Sequence, residues 1–225
     1  MRTPVRGPDS AAFLERPYTG RFTRQKVGTV RYCLGLDETG VIIEDGVAAR
    51  CADDHYYVTA TSPGAAAFYR EMQRWAMPSP LDVTLHNATG HLAAMNIAGP
   101  DSRRVLQAVS ELDLAADAIP YLGVQHGRIA DVEARVMRIG FVGELGYEVH
   151  VPASFGLHVW YTIMTAVAYA GIRPFGVEAQ RLLRLEKGPP IATQDTDALP
   201  TPRDARGTSA VRTNHPSSGG PAALQ

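Results

Sequence analysis

Three sets of charged residues in this chain have types and spacings that suit chemistry. The first is Glu148, in the run GELGYEVHVP from Gly143 to Pro152, where Tyr147, Val149 and Val151 alternate with Glu148 and His150. Such alternation describes a strand, so Glu148 faces away from Tyr147. A carboxylate fixed on a strand beside a glycine turn can accept two parallel hydrogen bonds from a planar amide-and-amine edge, as an aminopyrimidinone ring presents. The same types equally describe a strand face turned to water, where most strand carboxylates lie. The second set is the adjacent pair Glu44 and Asp45, which follows the apolar Val41, Ile42 and Ile43. Side chains alternate along a strand, so only one of this pair can face a ligand as the chain leaves a buried strand. The third is Arg181 and Arg184, which share one side of a helix. They can meet an anionic ligand or, with Glu178 as partner, form a solvated basic face.

The elements that must hold these groups follow from repeats and periodicity. GPDSAAFL begins at Gly7 and GPDSRRVL at Gly99, the same tetrapeptide with a leucine at the same offset, 99 - 7 = 92 residues apart. In each copy Asp9 or Asp101 is a plausible cap for a short helix. A strand, a turn of small residues and an amphipathic helix then start at Tyr56 and again at Tyr147. Phe68, Met72 and Trp75 share one face of the first helix, and Leu157, Trp160, Met164 and Val167 one face of the second. Ahead of Glu148, the apolar Val136, Met137, Ile139, Phe141 and Val142 read as a strand that the Gly143 to Gly146 turn ends.

The expected fold class is α+β, two tandem split-βαβ (ferredoxin-like) units spanning 1–90 and 91–175. A helix at 176–188 follows, with Leu182, Leu183 and Leu185 able to pack, and it completes one domain over 1–202. Only about Thr3 to Arg6 remains for the first strand of the first unit, so the chain is expected to begin inside its fold. Residues 203–225 hold Val211 and Leu224 as their only larger apolar side chains and read as a disordered tail.

Composition excludes several function classes. An apolar content of 45%, 20% charged residues and a formal net charge of -1 over 225 residues carry no basic excess for nucleic acid, and point to a small-molecule ligand. Seven histidines form no HxxxH or similar pair, so no metal site is expected and the histidines read as surface or satisfied core residues. Cys33 and Cys51 form no CxxC pair and suggest a reducing compartment. With no apolar signal core and no membrane-length apolar run, a cytoplasmic protein is expected. Walker, GxGxxG and GxSxG motifs are missing, which argues against bound flavin or nicotinamide and against serine hydrolysis.

The strings GTVRYCLGLDETGVIIEDG, NIAGPDSRRVL, GFVGELGYEVHVP, LRLEKG and QDTDALPTP together resemble the folate-binding aminomethyltransferase family. Within it they are most similar to the carboxy-terminal half of the alpha subunit of heterotetrameric sarcosine oxidase. The likeness runs from about residue 5 to residue 202. It implies tetrahydrofolate with its pterin in a central channel, formation of methylenetetrahydrofolate from an iminium or aminomethyl donor, and flavin-containing sarcosine oxidase subunits as partners. By the same resemblance Glu148 is the pterin-binding glutamate, Phe141 lies against the folate, and Asp45 rather than Glu44 sits beside the reacting pterin nitrogen with Tyr32 in the same site.

Departures from the family pattern are specific. Gln180 stands where the glycine-cleavage T-protein has a ligand-contacting arginine, with Arg184 or Arg181 as the substitute. Thr193 and Ala198 replace glycines of the usual GQDTDG run, and neither the flavin domain nor the carboxy-terminal barrel of relatives has a counterpart here. The expectation is therefore a domain truncated at both ends. The alternatives are a folate-binding protein without transferase chemistry or an inactive fragment. Iron–sulfur assembly factors of this fold carry KGCYxGQE, against LEKGPPIATQ here, which has no cysteine.

Overall fold

Alternating apolar residues and short connections rich in glycine build two antiparallel sheets, each packed on one face by helices. The computed structural model describes residues 1–166 and 171–187. The chain divides into two compact units, one of Met1–Thr89 and one that begins at Gly90. Among the described residues no helix is long and apolar enough to cross a membrane.

The first unit runs β1 (Arg2–Arg6), α1 (Ser10–Leu14), β2 (Val30–Leu36), β3 (Ile42–Ala52), β4 (His55–Ala60), α2 (Ala65–Ala76) and β5 (Thr84–Leu85). Its strand order is β2-β3-β4-β1-β5. Val5, Cys33, Ala48, Tyr56 and Val58 take one sheet face and pack on Phe13, Leu14, Tyr18, Phe22, Phe68 and Met72. Phe68 and Met72 are buried and Trp75 packs against the same cluster, as the periodicity of that helix predicts.

The second unit runs β6 (Leu92–Ala98), α3 (Ser102–Gln107), β7 (Val124–Ile129), β8 (Val132–Met137), β9 (Gly146–Pro152), α4 (Gly156–Ala166) and α5 (Val177–Lys187), with strand order β6-β9-β8-β7. Met95, Ile97, Val136, Tyr147, Val149 and Val151 form its core with Val105, Leu106, Val159 and Ile163. The neighbour order β1-β4-β3-β2 in the first unit is thus repeated as β6-β9-β8-β7 in the second. Both GPDS copies make the same turn: Gly7 has φ 128° and Gly99 φ 129°, and the serine amide donates to the glycine carbonyl at 3.0 Å in each.

Several expectations need correction. In each unit the two strands that flank the first helix, β1 and β2 or β6 and β7, have two others between them in an antiparallel order and so run in opposite directions, whereas a split-βαβ unit keeps that pair parallel with one strand between; the units are not split-βαβ. A crossover helix must carry the chain back along its strand. α1, at five residues, rises only about 8 Å, against about 17 Å for β1, and a three-strand meander follows instead. Asp9 and Asp101 hold the N-cap positions but make no cap hydrogen bond. Asp9 accepts from the Asp82 amide at 2.9 Å, and Asp101 is taken by Arg104 at 3.2 Å. In α4 the buried residues are Val159 and Ile163, while Leu157 and Trp160 are exposed. The leucines expected to pack in α5, Leu182, Leu183 and Leu185, are also exposed. Val167, the end of the 176–188 helix at Gly188 and the expected tail at 203–225 lie outside the described residues.

Candidate functional site

In the first unit the β2–β3 hairpin brings Asp45 to Tyr32. Asp37 closes its turn, with Oδ1 accepting from the Thr39 amide at 2.9 Å and the Val41 amide at 3.0 Å. Leu34 then pairs with Asp45 and Tyr32 with Val47, so Tyr32 and Asp45 share the face opposite the core. The Tyr32 hydroxyl donates to Asp45 Oδ2 at 3.1 Å, and the Asp45 Oδ1 atom is buried without a hydrogen-bond partner among the described residues. Burial lifts the Asp45 pKa to about 6; the Tyr32 hydrogen bond opposes this and the Glu44 charge adds to it. Burial, reinforced by Asp45, also pushes the Tyr32 hydroxyl up. The strand before Asp45 is less covered than its apolar run suggests, since Ile43 is 39% exposed.

Glu44 points to the opposite face and is 1% exposed. Its Oε1 accepts from the Asp45 amide at 2.9 Å and the Thr61 amide at 3.0 Å, and its Oε2 from the Thr61 hydroxyl at 3.0 Å. A Cβ on Gly64 would come within 2.1 Å of Oε2, so the carboxylate is wedged where β4 turns into α2. Glu44 is therefore a structural clamp that fixes the backbone of Asp45.

In the second unit the loop that delivers Glu148 is tied down at Leu145. The Gly99 amide and the Ser102 hydroxyl both donate to the Leu145 carbonyl at 2.9 Å, so the second GPDS turn anchors the start of β9. Gly143 supplies a turn at φ 87°, and a Cβ on Gly146 would come within 2.9 Å of the Ile139 carbonyl. β8 ends at Met137, not at Val142, and pairs with β9 only from Arg135 to Met137. Ile139 and Val142 are buried and Phe141 half-buried within the connecting loop.

Glu148 lies between Asn96 of β6 and Met137 of β8, on the face opposite the core. His150, buried two residues on, brings Nε2 to 3.2 Å from Glu148 Oε2, while Oε1 accepts nothing among the described residues. Arg135 faces His150 across the ladder, and its Nε donates to His126 Nε2 at 3.0 Å. Burial and the Arg135 charge hold the His126 imidazole below its usual pKa.

The structure thus joins Asp45 with Tyr32, and seats Glu148 on β9 with Phe141 in the loop before it. Arg184 is only 6% exposed, whereas Arg181 pairs with Glu178 at 2.6 Å on the helix surface. Gln180 lines a cavity of about 690 Å³ with Asn96, Trp160, Met164, Arg173 and Phe175. Reading the sequence alone missed the clamp role of Glu44 and the neighbours Asn96 and His150. His150 carried a signal in its parity with Glu148, as did Asn96 in its alternation with Met95 and Ile97.

Known proteins with the same features identify the lineage. A family profile described as the GCVT N-terminal domain matches residues 1–215. The chain belongs to the GCVT family. The sarcosine oxidase alpha subunit of Corynebacterium sp. (strain P-1) is 39% identical over 205 residues, covering 89% of this GCVT chain and 21% of that subunit. The aminomethyltransferase of Geobacillus thermodenitrificans (strain NG80-2) is 29% identical over 209 residues, 93% of this chain and 56% of that protein. The chain therefore spans only part of the curated relatives it matches. A crystal structure of the glycine cleavage system aminomethyltransferase T from Bartonella henselae superposes with a TM-score of 0.85 at 22% identity, covering 99% of this chain and 59% of that one, a likeness of fold. The heterotetrameric sarcosine oxidase of Corynebacterium sp. U-96 gives a TM-score of 0.55 at 15% identity, over 78% of this chain and 83% of that one. This is an aminomethyltransferase-type domain related to the sarcosine oxidase alpha subunit.

Proposed function

We propose that this domain binds tetrahydrofolate and takes part in one-carbon transfer, forming methylenetetrahydrofolate from an iminium or aminomethyl donor. The observation that carries the reading is Asp45: a half-buried carboxylate that forms no ion pair among the described residues, bonded by a tyrosine hydroxyl, with its pKa lifted by burial to about 6. Structural carboxylates are settled by donors, as Glu44 is by three. One left unsettled near neutral pH is suited to exchange a proton or to offset positive charge as a bond forms. Bound tetrahydrofolate would supply the nucleophilic nitrogen that receives the carbon. Glu148 fits the pterin because its Oε1 is unengaged and its Oε2 has a fixed neighbour in His150, so the carboxylate can take the amine and amide N–H groups without reorienting. Asp45 holds negative charge beside the reacting nitrogen or accepts its proton, and Tyr32 orients the carboxylate. Phe141 offers a ring to the folate, and Arg184 a cation to its anionic groups.

The donor would come from flavin-containing subunits of sarcosine oxidase type, and Cys33 and Cys51, which form no disulfide among the described residues, support a cytoplasmic setting. The test is methylenetetrahydrofolate formation from sarcosine with such a partner supplied. Asp45→Asn should lower kcat at least about tenfold while KM for tetrahydrofolate stays within about twofold. Folate binding with no turnover in the parent would favour the non-catalytic alternative, and equal losses in kcat/KM through KM alone would remove Asp45 from the chemistry.

A further inference from the structure

The two GPDS turns share one shape but not the same neighbours. Against the first sits Asp82: its amide donates to Asp9 Oδ2 at 2.9 Å, its carbonyl accepts from the Asp9 amide at 3.4 Å, and a Cβ on Gly7 would collide with that carbonyl. β5 then follows the outer edge of β1, pairing Thr84 with Arg6 and Leu85 with Val5, and the His86 amide donates to the Pro4 carbonyl at 3.1 Å. At the second turn a Cβ on Gly99 would meet nothing within 4 Å, and the Asp101 carboxylate is held only by Arg104 among the described residues.

The outer edge of β6 is bare as well. The Gly99 amide continues the β6–β9 ladder by donating to the Leu145 carbonyl, so alternation turns the backbone groups of Ala94, Asn96 and Ala98 away from β9. They meet no backbone partner among the described residues. The outer edges of β2 and β7 are capped, by the Thr19 amide on the Leu34 carbonyl and the Glu111 amide on the Arg128 carbonyl, each at 3.0 Å. A bare edge of this kind can take one more strand.

Across the cavity of about 690 Å³ from this edge and this turn stand residues 171–177. Two landmarks give their counterparts in the first unit. α2 starts at Ala65 and α4 at Gly156, and Leu81 and Ile172 each pack on the core of their own unit, so both pairs are 91 residues apart (156 - 65 = 172 - 81 = 91). Arg173 thus matches Asp82, Phe175 matches Thr84 and Val177 matches His86. We propose that Arg173 to Val177 is a strap that closes on β6 and the second GPDS turn, as Asp82 to His86 lies on β1 and the first, and that the cavity is its open state. In the closed state the Arg173 amide donates to Asp101, the Phe175 amide to the Ala98 carbonyl and the Val177 amide to the Asn96 carbonyl. None of these three amides has an acceptor among the described residues, and that of Val177 is one of the donors that the start of α5 leaves unpaired. Pro174 matches Val83, between the bonding positions, where a missing N–H costs no ladder bond. The Arg173 side chain also brings a positive charge to Asp101. Closure narrows the cavity and fixes the first turn of α5, the helix that bears Gln180 and Arg184.

Amide hydrogen exchange followed by NMR on the whole chain tests this, with Thr84 and His86 as the internal reference. Phe175 and Val177 should exchange at least about tenfold more slowly in the parent than in an unstructured peptide. Arg173→Glu, which sets a like charge against Asp101, should lower the protection of Phe175 at least about threefold. Val177→Pro, which suits the first position of a helix but has no N–H, should do the same. Amides of β9 should stay protected in both variants, showing that the unit remains folded. Unprotected Phe175 and Val177 in the parent, or protection of Phe175 that neither substitution lowers, would overturn the strap.

Discussion

Asp45 and Glu148 sit on the corresponding faces of two sheets with the same strand order, yet their surroundings differ in kind. Asp45 is partly desolvated, has a neutral donor on one oxygen and none among the described residues on the other, and burial lifts its pKa to about 6. Glu148 keeps a third of its side chain exposed, with the ring of a buried histidine beside one oxygen. The repeat does not explain the contrast. By register, Tyr57 of β4 holds the place that Glu148 holds in β9, and Glu133 of β8 the place of Asp45 in β3. Tyr57 is fully buried and Glu133 is exposed. Duplication supplied the scaffold, and local burial decided which acid is strained and which is merely held.

The contrast can be broken from the structural side first. Glu44→Ala should cost about 2–4 kcal/mol, since it orphans three part-buried donors, the Asp45 and Thr61 amides and the Thr61 hydroxyl. Urea unfolding would measure it, and a loss under about 1 kcal/mol would mean that Glu44 is no clamp. Asp45 should behave in the opposite sense. Its folded pKa of about 6 lies above the unfolded 3.8, so its contribution to stability is present below about 4 and is lost as pH rises through about 6. Asp45→Asn should therefore be more stable than the parent by about 1–3 kcal/mol at pH 8, with the gain vanishing near pH 4. A constant difference at both pH values would contradict the strained-carboxylate account.

Smaller effects sharpen the comparison. His150→Leu should weaken tetrahydrofolate about three- to tenfold, whereas His150→Gln, which keeps a donor near Glu148 Oε2, should stay within about twofold of the parent. Equal losses in both would mean that His150 acts through packing alone. Tyr32→Phe removes the hydrogen bond that holds Asp45 down, so the Asp45 carboxyl should titrate higher still when followed by carbon NMR. A downward move would show that Tyr32 does not stabilise the charge.

How much of this was legible without coordinates depended on the kind of signal. The duplicated GPDS turn was visible because its glycines need φ near 128° and few other residues allow that. The face of Glu148 followed from simple alternation with Tyr147 and Val149. Apolarity misled at Ile139 and Val142, which are buried in a loop: hydrophobic residues report burial, not strand. In α4 two apolar stripes competed, and only packing could choose Val159 and Ile163 over Leu157 and Trp160. The state of Asp45 was out of reach, because it depends on a tyrosine across a hairpin and on burial that no local pattern encodes.

The division of labour between the two acids is the central claim, and anaerobic calorimetry of tetrahydrofolate binding tests it most directly. Parent, Glu148→Gln and Asp45→Asn chains would be titrated side by side at pH 8. Gln keeps the shape of Glu148 but sets a donor against a donor, so Glu148→Gln should lose about 10- to 100-fold in affinity, the range for hydrogen bonds to a charged group, and Asp45→Asn no more than about twofold. Parental affinity in Glu148→Gln, or a loss in Asp45→Asn as large as that in Glu148→Gln, would contradict it.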